Sequence, residues 1–360
     1  MLDGRDDCGQ NVAIPIVSRR RTLKRVVLSA PHEASLTSAP TPDRASGQVL
    51  LRVVAVGICG SDVHAYRGLE PFLTYPRVLG HELALKVEEV DRGDSDFLPG
   101  ELVTVEPYIA CGRCYPCSRG SYNCCEKLEV LGIHRDGGLQ EYITVPENKI
   151  HRSAPQMDIE ELALIEPLSV GAHAVSRAGV TADDFVFVIG AGPIGIAAAQ
   201  VARLRGATVA IGDVLERRLA LAADFGIEHV LDLSSQNGVE EVKALTGGVG
   251  AHVVIEAVGK KQTIEATTQY VAASGRIAIV GIGKETISFP QQVFNKKEIT
   301  FLGCRNSRGL FPELISNVAA GKLTMKPLVT HRIPLRDVPN MLRWLDSSPG
   351  EAIKVIVSVD

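Results

Sequence analysis

The chain has 360 residues, enough for two domains, since a single hydrophobic core stops growing well below this size. Apolar residues make up 45% and charged ones 22%, the balance of a globular protein. A net charge of −4 and only 5% aromatic residues supply neither the basic surface nor the stacking platforms that a nucleic-acid partner or an anionic membrane would need.

Taken in chain order, residues 1–21 carry no secretory signal. The apolar stretch "NVAIPIV" (11–17) is too short, is broken by Pro15 and follows Asp3, Asp6 and Asp7. This segment reads as an irregular extension, and the protein as cytoplasmic. From Thr22 to about residue 165, short Val-rich stretches alternate with Gly/Pro turns, the pattern of a β-rich domain. Two of them end on chemistry-bearing residues: "RVVAVGICGSDVH" offers Cys59, Ser61 and His64, and "VLGHELALKVEEV" offers His81 and Glu82. With Glu166 in the apolar setting of "LIEPLSVGAHA", these supply thiolate, imidazole and carboxylate from distant points of the chain. Such a mixed set suits a catalytic zinc, which takes three protein ligands and keeps one position open.

Between them, "CGRCYPCSRGSYNCC" (111–125) holds five of the eight cysteines. In a reducing compartment a dense cysteine cluster favours metal over disulfide. Cys111, Cys114, Cys117 and Cys125 give C-x2-C-x2-C-x7-C, and four sulfurs make a closed, structural zinc site; Cys124 is an alternative fourth ligand. An iron–sulfur cluster would use the same four thiolates, but nothing else in the chain suggests electron transfer.

No charged side chain occurs from Phe185 to Ala202, nearly the length of a membrane span, but Gly190, Gly192, Pro193 and Gly195 interrupt the run. A strand "FVFVI", a G-x-G-x-x-G turn at Gly190, Gly192 and Gly195, an alanine-rich helix and a second strand "TVAIGD" fit better. In that context the glycines admit a pyrophosphate to the helix N-terminus. Asp213, 18 residues beyond Gly195, stands where a carboxylate bonds the adenosine ribose and repels a 2′-phosphate, which favours NAD over NADP; Arg217 and Arg218 nearby oppose that preference. Further strands at 252–259, 275–283 and 298–304 complete a doubly wound parallel α/β sheet. An amphipathic helix at 309–323 and a closing strand in "EAIKVIVSVD" follow.

Jointly, "GICGSD", "GHE", the four-cysteine spacing, "IEPLSVGAHA" and "GAGPIG" resemble the zinc-dependent medium-chain dehydrogenase/reductase family, in its sorbitol and sugar-acid dehydrogenase branch. The resemblance implies a GroES-like catalytic domain over 22–165 with its zinc lobe at about 108–126, a Rossmann NAD domain over 166–305, and a segment 306–360 returning to the first domain. It implies two zinc ions per chain. The catalytic one is held by Cys59, His81 and either Glu82 or Glu166, with Ser61 and His64 as a proton relay. It also implies that Ile194, Asp213 and Arg218 line the cofactor site and that Arg305 meets a small alcohol substrate, in a homodimer or homotetramer. Ala65 and Asn306 stand where sorbitol dehydrogenase has tyrosines, so a sugar acid paired by Arg305 is the attractive substrate. Threonine oxidation is the enzymatic alternative, and a nucleotide-binding zinc protein without turnover the third.

Overall fold

The computed structural model describes residues 22–91, 95–235 and 237–359; the extension expected at 1–21 lies outside them. Among the described residues no helix is long and apolar enough to cross a membrane.

Two sheets organise the chain. The strand Phe185–Ile189 is buried at every position, as a strand covered on both faces must be. It sits inside a six-stranded, all-parallel sheet ordered His229–Asp232, Thr208–Asp213, Phe185–Ile189, Ala251–Glu256, Val271–Ile279, Thr300–Gly303. This is the doubly wound order with its reversal beside the first strand, where a ligand crevice forms. The strand His229–Asp232 is absent from the sequence reading because "HVLD" is short, polar at both ends and only partly buried. The strand expected at 275–283 instead spans Val271–Ile279. It starts early through a bulge at Ser274 (φ 57°), and beyond Ile279 the backbone turns to pack Gly281 and Gly283 against Gly259. The amphipathic helix is Phe311–Ala319.

The second sheet has seven strands. Val329–Pro334, Lys354–Ser358, Gln48–Ile58, Glu82–Glu89, Leu102–Val105 and Ile150–Arg152 lie in that order, and Tyr142–Pro146 also pairs with Gln48–Ile58. Gly57 therefore lies between Ile356 on one side and Glu82 on the other. A short ribbon, Tyr108–Ile109 with Glu129–Val130, fences off the cysteine-rich lobe, whose own small core is Tyr108, Cys125 and Leu128.

One helix joins the two halves. Ile165–Arg177 buries Ile165, Leu168, Ala172 and Val175 in a cluster that runs from Ala55, Ala84 and Ile356 of the seven-stranded sheet to Val186, Ile196 and Ala198 beside the parallel sheet. Each fully buried Ile or Leu contributes about 1.5–3 kcal/mol, so the helix is firmly seated. Its first turn carries Glu166 to the seam.

Candidate active site

Cys59 caps the short helix Gly60–Tyr66 at the end of strand Gln48–Ile58, and His81 and Glu82 open the neighbouring strand. One ligand atom from each of Cys59, His81 and Glu82 falls within 4.8 Å of the other two. Asp62 organises the backbone around them. It is fully buried, its Oδ2 accepts from Cys59 N (2.9 Å), and its Oδ1 accepts from Gly80 N (3.2 Å) and stands 3.9 Å from His81 Nδ1. That Nδ1 is buried with no hydrogen-bond partner. Burial would lower the His81 pKa, but contact with Cys59 and the charges of Cys59, Asp62 and Glu166 push it well above the usual imidazole range. The donor set is thus soft, mixed and anionic, the chemistry that suits a zinc ion.

Glu82 is completely buried and held by Lys354, whose Nζ donates to Oε1 (2.6 Å) and Oε2 (2.9 Å). Burial alone would lower the Lys354 pKa; the charges of Glu82 and Cys59 outweigh it and raise the value. Gly57 makes the room, since a Cβ there would lie 1.9 Å from Glu82 Oε2. Glu166 is buried alongside, its pKa raised by burial, lowered by the His81 charge and raised again by Glu82. It stands outside the three-ligand set, and its Oε1 accepts from the hydroxyl of Tyr108. The structure thus separates the two carboxylates that the sequence left as alternatives. Ser61 is half-buried in the first turn after Cys59, and His64 is exposed one turn on.

The sulfurs of Cys111, Cys114, Cys117 and Cys125 converge in the same way, with Cys114 Sγ 3.3 Å from Cys117 Sγ and 3.7 Å from Cys125 Sγ. Cys124 is exposed and outside the group. Backbone N–H groups of Arg113 and Cys114 pull the Cys111 thiol down to about 6, while burial and the neighbouring Cys114 and Cys125 push Cys117 up to about 12, so the clustered thiols titrate as one interacting group. Four sulfurs on one ion would leave no place for substrate.

At the parallel sheet, Gly190 adopts φ 102° and a Cβ on Gly195 would lie 1.8 Å from Gly190 O, so the turn closes only with glycine. Helix Pro193–Leu204 starts at Gly192 without a side-chain cap, leaving its first N–H groups for an anion, and half-buried Ile194 lies in its first turn. Asp213 braces the crevice. Its Oδ2 accepts from Ala191 N (2.9 Å) and lies 3.4 Å from Arg218 Nη1, and its Oδ1 accepts from Val214 N (2.8 Å). Arg217 is turned to Glu351, 3.3 Å away. Arg305 is exposed on a turn whose next residue, Asn306, has φ 50°, and its carbonyl accepts from Asn123 Nδ2 (2.8 Å). It is not in hydrogen-bond contact with the Cys59 group.

Sequence reasoning missed Asp62, Tyr108 and Lys354. Asp62 lies inside the quoted "GICGSD" but has no role until its two backbone partners are seen. Lys354 and Tyr108 reach the pocket from 272 and 58 residues away from their partners.

Comparison with known proteins gives the family and the fold. Residues 45–155 match the alcohol dehydrogenase GroES-like domain, and residues 193–320 match the zinc-binding dehydrogenase domain. L-galactonate-5-dehydrogenase of Escherichia coli K12 is 37% identical over 87% of this chain and 92% of its own. Sorbitol dehydrogenase of Bacillus subtilis is 31% identical over 94% and 97%. Among solved structures, an E. coli CFT073 alcohol dehydrogenase complexed with NADH superposes with TM-score 0.87 at 30% identity, covering 94% of this chain and 99% of that one. A zinc-binding dehydrogenase of Sinorhizobium meliloti bound to NADP gives 0.88 at 31%, covering 94% and 100%.

Proposed function

This chain belongs to the zinc-binding alcohol dehydrogenases and is a polyol or sugar-acid dehydrogenase; we propose that it oxidises a secondary alcohol with NAD at a zinc held by Cys59, His81 and Glu82. The observation that carries this reading is the convergence of those three donors on the seam where Glu166 enters on the helix that joins the domains. Zinc bound there supplies the Lewis acidity that lets a hydroxyl lose its proton near neutral pH. NAD supplies the hydride acceptor.

The chain's own residues do the rest. Asp62 and Lys354 fix the ligands from behind, as outer partners of metal sites do. Ser61, half-buried beside Cys59, would accept the substrate proton at Oγ as its own hydroxyl proton is passed on toward exposed His64, which releases it to water. Arg305 approaches a substrate carboxylate. Asp213 meets the adenosine ribose and repels a 2′-phosphate, while Arg217 faces Glu351 and Arg218 faces Asp213; this supports NAD over NADP. We propose further that the four-cysteine lobe holds a second, structural zinc, and that the chain acts in the cytoplasm as a homodimer or homotetramer, as its family resemblance implies.

The test is NADH absorbance across a panel of polyols, aldonates, uronates and threonine. NAD reduction with a polyol or aldonate is expected. Turnover with threonine alone, or no turnover with any secondary alcohol, would overturn the assignment.

A further inference from the structure

The pocket holds two buried carboxylates, and different segments anchor them. Glu82 is matched by an opposite charge, the ammonium of Lys354. Glu166 is matched by a neutral donor, the hydroxyl of Tyr108. Tyr108 is 2% exposed, lies three residues before Cys111 and belongs to the ribbon and small core of the four-cysteine lobe. Its hydroxyl also meets Ser307, whose Oγ is 2.7 Å from Ser169 Oγ; Ser169 in turn bonds the carbonyl of Glu166 (2.6 Å). Nearby, Asn123 of the lobe bonds the carbonyl of Arg305, and Tyr122 OH accepts from Gly309 N (2.6 Å). The lobe therefore grips both the Glu166 turn and the Arg305–Gly309 turn.

We propose that Tyr108 is a positioning residue that holds Glu166 beside, and outside, the Cys59–His81–Glu82 ligand set, so that the cysteine lobe shapes the catalytic pocket as well as the fold. A purely structural lobe would need only apolar contact with the domain. A buried hydroxyl bonded to the second carboxylate of the metal pocket does something more specific: it ties one oxygen of Glu166 to the lobe, so that the carboxylate cannot offer both to a cation. The proposal rests on the zinc reading given above.

The experiment compares wild type, Tyr108→Phe, Glu166→Gln and the double variant, each zinc-loaded for kinetics and cobalt-exchanged for visible spectra. The catalytic part of the spectrum is identified as the part that Cys59→Ala removes. Tyr108→Phe keeps the ring and its packing. It is expected to shift that part of the spectrum and to lower kcat by about 10–100-fold, the usual effect of losing an outer partner at a metal site. In the Glu166→Gln background it should change neither further. An unshifted spectrum with wild-type kcat, or losses that multiply in the double variant, would overturn the proposal. If Cys59→Ala removes no part of the cobalt spectrum, the zinc reading fails instead, whatever Tyr108→Phe does.

Discussion

Lys354→Met gives the sharpest energetic test of the site. The substitution keeps most of the side-chain volume but removes the ammonium that meets both oxygens of Glu82, where the two side chains are 4% and 0% exposed. Breaking a buried pair from one side costs about 3–5 kcal/mol, because the remaining charge stays desolvated. At about 2–4 °C per kcal/mol, the metal-free protein should melt about 6–20 °C lower than metal-free wild type. In the zinc-loaded protein the loss should be smaller, since the cation then compensates Glu82. Adding Glu82→Gln should recover part of the metal-free loss, because no uncompensated charge remains. Thermal melts of wild type and both variants, with and without chelator, decide the matter. A metal-free Lys354→Met protein that melts with wild type would refute the reasoning, and so would a zinc-loaded one that loses more.

Two further outcomes are expected. Asp213→Ala should narrow the preference for NAD over NADP in kcat/KM; a wild-type preference for NADP would contradict the role given to Asp213 and to the paired arginines. His151 and His173 are each pushed down to about 4 from 6.5, first by burial and then by Lys149 for His151 and by Arg308 and Arg177 for His173. A lowered folded-state histidine pKa means the unfolded chain binds more protons between those values, so their contribution is full above about pH 6.5 and is lost as the pH falls toward 4. Melts across that window should show a shallower decline for His151→Gln/His173→Asn than for wild type; equal slopes would contradict it.

The sequence was informative where chemistry is local. The glycine turn, its strand and its helix lie within a continuous stretch, as do the four clustered cysteines, and the burial of "FVFVI" follows from its composition. The separation of Glu82 from Glu166 was not legible. It depends on Lys354, which reaches Glu82 only because the closing strand inserts beside Gln48–Ile58, and on Tyr108, whose hydroxyl reads in sequence as one more aromatic near a turn. Asp62 is similar, for its value lies in accepting two backbone N–H groups that are 21 residues apart, Cys59 and Gly80. The strand His229–Asp232 was lost for another reason. It forms at the sheet's edge by backbone pairing with Thr208–Asp213, which its polar ends do not advertise.

The most direct measurement is zinc content per chain in folded wild type, Cys59→Ala and Cys111→Ala, taken with NADH formation on the same samples. From the two donor groups, wild type is expected to hold two zinc ions. Cys59→Ala should keep one, bind NADH and form none, because Cys59 belongs to the open site and the Gly190–Asp213 crevice is separate. Cys111→Ala should lose the other zinc and melt earlier. A Cys59→Ala protein that retained both ions and full turnover would contradict the account.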